Sequence, residues 1–430
     1  MNRILKHLAP VVAAAIACSS GTAQQVQKLS LKEAEQIAVQ NHPQVQAAAD
    51  LADAAKAQVA QQRSAYFPMA NGSLTAVDAE NNSRIAAGAL NNPIIFERYS
   101  NGVAVSQLVT DFGRTHDLVK SSDLHAKAQQ QSAVNTRAEV LLEADRAYFS
   151  VLKAQAVLKV ADETVNERQL VSDQTSELEK NKIKSGLDVS FANVDLAQAQ
   201  LLLIQARDGL DTSFADLAAA LGYGDLRTFD LADEPTLDAP PDDFASLLQQ
   251  AVRNRPDLAS LQLDAASAHT YATAERDLWF PTVSAAGAAG LTPTGAEQVG
   301  PRYAAAGVNV NVPIFNGHLF GALHNEATSR ARADDQYVRD LQDQIVREVR
   351  TAWLNAGAGY QRLSVAAQLL KNAQDALDLA QQRYRLGLSS IIELSQAQLN
   401  LTQARLESAN AKYDYQAQLS ALRFQIGALR

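Results

Sequence analysis

The stretch SAYFPMANGSLTA, Ser64 to Ala76, decides the fold, because DLWFPTVSAAGAA returns to it at Asp277 to Ala289. Tyr66-Phe67-Pro68 and Trp279-Phe280-Pro281 stand 213 positions apart. Upstream, AVQNHPQVQA (Ala38 to Ala47) faces AVRNRPDLAS (Ala251 to Ser260) at the same offset. Two segments that keep one offset mark an internal duplication. In each copy Pro bars a helix from continuing and biases its predecessor to extended backbone. FP therefore ends a helix and turns the chain into a pair of strands.

After each FP the composition changes. ANGSLTAVDAENNSR and YSNGVAVSQLVTDFG bring Gly, Asn and β-branched residues, and NNSRIAAGALNNPIIFERYS between them reads as a loop. The second copy repeats the plan, so strand pairs are expected at about 69–110 and about 282–313. In GVNVNVP, Val308, Val310 and Val312 point one way and Asn309 and Asn311 the other. That alternation fits a membrane β-barrel strand, and equally any half-buried strand. Tyr66, Phe67, Trp279 and Phe280 sit at the joint, either as an aromatic girdle at a lipid interface or as a buried cap.

Beyond the strands the chain is helical. No Pro occurs between Pro93 and Pro235 or after Pro313, and Gly is absent from Arg114 to Ser185. Val140, Leu141, Ala144, Ala147, Tyr148, Val151 and Leu152 form one apolar helical face. A helix of about 70 residues is roughly 100 Å long and needs partners along its length. The pattern repeats from about Gly317 to Leu386, where the glycines of NAGAGY (Asn355 to Tyr360) relax the helix or admit a close neighbour. Each long segment breaks at a Gly-containing stretch, KIKSGLDVS or RYRLGLSSI, and an Ala/Gln-rich helix follows. Two helical hairpins are expected, turning near Gly186 and Gly387, where Gly supplies positive φ. The repeats then span 24–230 and 231–430.

Arg3 and Lys6 precede the apolar run Leu8 to Ala17, and small residues follow, which reads as a secretory signal over residues 1–23. No other stretch is expected to match a transmembrane helix. Cys18, the single cysteine, lies in this leader; it is either a lipidated terminus or a small residue removed with the signal. The net charge of −9 argues against a nucleic-acid partner. Scattered His residues, with no H-E-x-x-H, phosphate loop or nucleophile elbow, argue against an enzyme, and no cofactor or metal is expected.

Four strands cannot close a barrel, and open sheet edges are not tolerated in hydrocarbon. The smallest outer-membrane barrels have about eight strands, so two chains would supply eight and three would supply twelve.

LVTDFGRTHDLVKSSDL, RAYFSVLKAQAVL, SGLDVSFANVDLAQAQLLLIQA and RYRLGLSSIIELSQAQLNLTQARL resemble the TolC-like outer membrane efflux proteins over essentially the whole mature chain. The resemblance implies a mainly α fold with a small β part: duplicated hairpins build an α-barrel, and four strands per chain enter a twelve-stranded barrel in a homotrimer. It implies an outer-membrane location with a long periplasmic extension in a Gram-negative envelope. The implied role is a passive exit duct of an efflux or type I secretion system. Its partners would be outer-membrane lipid, a periplasmic adaptor (membrane fusion) protein and an inner-membrane pump of RND or ABC type. Gly186-Leu187 and Gly387-Leu388 match the family's adaptor-docking tips. Tyr384 matches its constriction tyrosine and Glu393 one acid, with Asp188 and Asp195 as first-hairpin candidates. Ser389 and Gln396 depart from the family's basic and second acidic residue. Repeated three times, Glu393 and Asp188 would form carboxylate rings whose like charges raise one another's pKa. The alternative is a periplasmic adaptor or helical scaffold, which would carry one hairpin flanked by compact β domains.

Overall fold

The computed structural model describes residues 28–78, 98–225, 227–235, 238–292 and 301–429. The leader with Cys18, and most of the loop read between the first two strands, lie outside the described residues. The elements run α1 (Leu31–Asn41), α2 (Pro43–Arg63), β1 (Met69–Val77), β2 (Arg98–Thr110), α3 (Arg114–Lys180) and α4 (Gly186–Ala220). The second set is α5 (Phe244–Asn254), α6 (Pro256–Arg276), β3 (Thr282–Leu291), β4 (Arg302–Asn311), α7 (Leu319–Arg385) and α8 (Ile391–Gln425). Corresponding helices have equal lengths of 11, 21, 67 and 35 residues. The offset of 213 holds to the start of β1 and β3 and becomes 205 from α3 and α7 onward.

Each FP acts as its chemistry requires. A short 3₁₀ turn, Ser64–Tyr66 or Asp277–Trp279, ends the helix, and a strand opens directly after the Pro. The strands form one antiparallel sheet in chain order. Because facing residues share a side, the register sorts the sheet into two surfaces. One carries Leu74, Val103, Val105, Val283, Leu291, Val308 and Val310. The other carries Asn71, Ser73, Thr75, Ser100, Ser106, Ser284, Asn309 and Asn311. On this second surface Tyr303 lies across Gly102 and Gly290, where a Cβ would collide with its ring.

The return from strand to helix uses positive φ in both copies, with the glycine exchanged. Phe112 (56°) and Gly113 (121°) precede α3; Gly317 (61°) and His318 (68°) precede α7. Asp111 accepts from the Thr115 backbone N–H at 2.7 Å and secures the first turn of α3.

Below the sheet the helices form an open wall, α2–α3–α6–α7 near the strands and α4–α3–α8–α7 towards the tips. Its largest core, around Tyr148, Phe149, Leu217 and Leu221, lies where α1 packs on α3. The Tyr148 hydroxyl donates to Leu29 O and Ala232 O, tying both linkers to α3. Gly359 explains half of NAGAGY: it is buried against Tyr415 and Gln418, whereas Gly357 faces open space. One expectation is corrected. By length and composition α4 is apolar enough to cross a membrane, because its small and aliphatic residues are not balanced by charge.

Candidate functional site

All four long hairpin helices end in the same way. The residue after the cap adopts positive φ, and the N–H groups beyond it close on carbonyls of the last turn, the Schellman arrangement. Three use glycine: Gly222, Gly387 and Gly427. The fourth, at the first tip, uses Lys182 at φ 58°, with Ile183 N–H bonded to Leu178 O at 2.8 Å. Gly186 therefore does not make the turn; it is the first residue of α4, and Ser185 caps that helix. The expectation of a left-handed Gly186 is corrected, and Lys182 is the counterpart of Gly387 at offset 205.

The same offset pairs the acids. Ser185 accepts from Asp188 N–H and Ser390 from Glu393 N–H, so the two acids occupy equivalent first-turn positions. They are held differently. Asp188 bonds back to the Ser185 backbone N–H at 3.0 Å, which keeps its carboxyl below the usual range; Ser185 Oγ and the Lys184 charge act in the same sense. Within one protomer the shift thus runs opposite to the rise expected of a carboxylate ring. Glu393 pairs with Arg383 at 2.9 Å, and Arg383 also donates to Leu388 O. Asp195 accepts from Ser395 Oγ at 2.5 Å and so joins α4 to α8. Gln396 bonds Asn400 along its own helix.

Tyr384 is buried, with its hydroxyl beside Thr175. The Thr175 hydroxyl donates to Val171 O and keeps its own oxygen free to accept. Burial pushes the Tyr384 pKa up, the Thr175 hydroxyl opposes the rise, and the Asp188 charge adds to it. The Lys184 ammonium lies 4.0 Å from the centre of the Tyr384 ring, across the two hairpins. Lys184 stands at the first-hairpin position equivalent to Ser389, so the basic group missing from the second tip is present at the first. Sequence reasoning passed over it because the turn was centred four residues late.

The tips present apolar side chains to solvent: Ile183 66 %, Leu187 65 %, Leu386 74 % and Leu388 66 % exposed. Ile183 and Leu388 are equivalents that directly follow the left-handed residue, so Ile183 joins the surface assigned to Leu187. At the other end Tyr66, Phe67, Trp279 and Phe280 are each about half-exposed or more, which does not fit a cap buried within the protomer. Phe112, Ile314 and Phe315, at the strand-to-helix joints, extend this collar. Their sequence signal is the DFG and FNG pair that mirrors FP. Among the described residues, no group of three or more His, Cys, Asp or Glu is placed to hold a metal.

The profile of the family described as "Outer membrane efflux protein" matches residues 35–223 and 247–428. Over 389 residues the chain is 25 % identical to the toluene efflux pump outer membrane protein TtgC of Pseudomonas putida, covering 87 % of this chain and 78 % of that protein. It is 27 % identical to outer membrane protein TolC of Vibrio cholerae over 419 residues, covering 93 % and 91 %. The fold superimposes on the CmeC outer membrane channel of Campylobacter jejuni with a TM-score of 0.80 at 17 % identity, covering 93 % and 85 %.

Proposed function

The chain belongs to the outer membrane efflux protein family, a family of channel proteins, and on that premise we propose that three copies assemble into one continuous exit duct. The four-stranded sheets close a twelve-stranded barrel in the outer membrane, and the hairpins close an α-helical tunnel reaching into the periplasm. Substrates leave passively through it, delivered by an inner-membrane pump through a periplasmic adaptor that docks on the hairpin tips. The system is one of tripartite efflux or type I secretion.

One observation carries this reading: among the described residues the sheet is open at both edges, β1 and β4, and one surface gathers most of its large aliphatic side chains. Such a sheet cannot satisfy its backbone in lipid until copies join its edges. The wall below is open in the same sense. At its α4 edge Leu187, Phe191, Val194, Leu201 and Ile204 are exposed at heptad spacing; at its α7 edge so are Val365, Leu369, Leu379 and Leu386. Counted from the tips, Leu187 stands level with Leu386, Val194 with Leu379 and Ile204 with Leu369. Two different surfaces that match head to tail generate a ring.

The collar around Tyr66, Phe67, Trp279 and Phe280 lies at the membrane interface. Tyr384, Glu393, Asp188 and Asp195 set the constriction, and Gly387-Leu388 with Ile183 and Leu187 form the docking tips. An adaptor or soluble scaffold would not place a strand pair before each of two hairpins. Membrane fractionation tests the duct. A heat-modifiable trimer in the outer membrane is expected, and a soluble periplasmic monomer overturns it.

A further inference from the structure

We propose that Lys184 latches the two hairpin tips of each protomer together by seating its ammonium on the ring of Tyr384, a cation–π contact at the end of a polar seam between the hairpins. The proposal rests on the duct reading and adds a gate residue to it.

The seam is unusual in a helical wall. On α3, Thr164, Arg168, Ser172 and Thr175 are buried at spacings of four, four and three, where a coiled-coil stripe is normally apolar. Their equivalents on α7 are Leu369, Ala373, Leu377 and Ala380. The second hairpin is accordingly zipped by an apolar cluster that includes Leu377, Leu394 and Leu401. In the first hairpin Ser172 bonds Asn193 of α4 and Thr175 bonds Val171 O, while other polar groups cross to α8. Arg168 Nη1 donates to Gln398 Oε1, Arg405 pairs with Glu167 at 2.9 Å, and Asp195 bonds Ser395. Polar contacts of this kind exchange with water at little net change in free energy, whereas an apolar seam cannot. The hairpins are thus joined to one another more loosely than α7 is to α8, and the outermost contact governs whether the tips part.

That contact is Lys184 on Tyr384. The ammonium engages the ring face, 4.0 Å from its centroid, while the hydroxyl lies beside Thr175. Neither Arg383, committed to Glu393, nor Ser389, which carries no charge, substitutes for it.

Purified full-length protein is reconstituted in planar bilayers and single-channel conductance recorded. A cation–π contact of ordinary strength predicts that Lys184→Gln raises the open population about two- to thirty-fold for each latch lost. Lys184→Arg, which keeps a cation over the ring, stays near wild type. Tyr384→Ala opens the channel as Lys184→Gln does, and Tyr384→Phe opens it far less, because the ring remains. An unchanged conductance in Lys184→Gln overturns the latch alone. So does a Tyr384→Phe variant as open as Tyr384→Ala, which would assign the closure to the hydroxyl. A wild-type protein that forms no channel overturns the duct, and the latch with it.

Discussion

At position 182 a lysine holds the left-handed backbone that glycine holds at the other three hairpin-helix ends. A side chain in that region costs about 1 kcal/mol relative to glycine. Lys182→Gly is therefore expected to slow native-state hydrogen exchange at the tip amides of Ile183 and Lys184 by up to about fivefold, and Gly387→Ala to accelerate it at Leu388. A second residue acts through pH. Asp145 is buried on α3, and burial pushes its pKa to about 7; Glu35 reinforces the rise, while Ser420 and Arg423 oppose it. In the unfolded chain the same carboxyl ionises near 3.8. Between those values the unfolded state has released a proton that the folded state keeps, so stability falls as pH rises from about 4 to about 7 and then levels. Asp145→Asn removes the penalty. The thermal midpoints of variant and wild type, measured in detergent, should coincide near pH 4 and separate by several degrees in favour of the variant above pH 7.

The elements differ in what holds them. Leu377→Ala removes a buried side chain from the apolar seam of the second hairpin and is expected to destabilise it by about 2–5 kcal/mol. Ser172→Ala, at the equivalent position of the first hairpin, removes a hydroxyl bonded to Asn193 and is expected to cost about 1 kcal/mol. Hydrogen exchange resolved along α3 and α7 distinguishes the two. This asymmetry also marks how far the sequence could be read. The FP repeats, the proline-free runs and the valine–asparagine alternation were legible because each is a local rule with a local signature. The first tip was not. Its glycine had been replaced by Lys182, and Gly186 nearby imitated the signal while serving only as the first residue of α4. The capping serines, Ser185 and Ser390, marked the true register in the sequence, but only at offset 205, and the offset of 213 upstream concealed it. The partners of Tyr384 and Arg168 were illegible for another reason: they come from segments 200 or more positions away.

Across the whole molecule, the two surfaces of the sheet should respond oppositely to charge if the duct is built as proposed. Val105 lies near the middle of β2 on the apolar surface, flanked across the ladders by Ala70 and Gly287. Ser106, its neighbour in sequence, points to the polar surface beside Met69 and Ala286. In a closed barrel the first faces acyl chains and the second the water-filled lumen. Val105→Arg must then place a guanidinium near the bilayer midplane, at about 2–4 kcal/mol per copy. Three copies share one barrel, so the penalty counts three times for each assembly. The heat-modifiable trimer in outer-membrane fractions should be strongly depleted. Ser106→Asp adds three carboxylates to the lumen, where water solvates them; the trimer should persist, and its reversal potential in a salt gradient should shift towards cation selectivity. Equal loss of trimer in both variants would mean that both surfaces face protein, and a four-stranded sheet with both faces covered has no place as the wall of a channel.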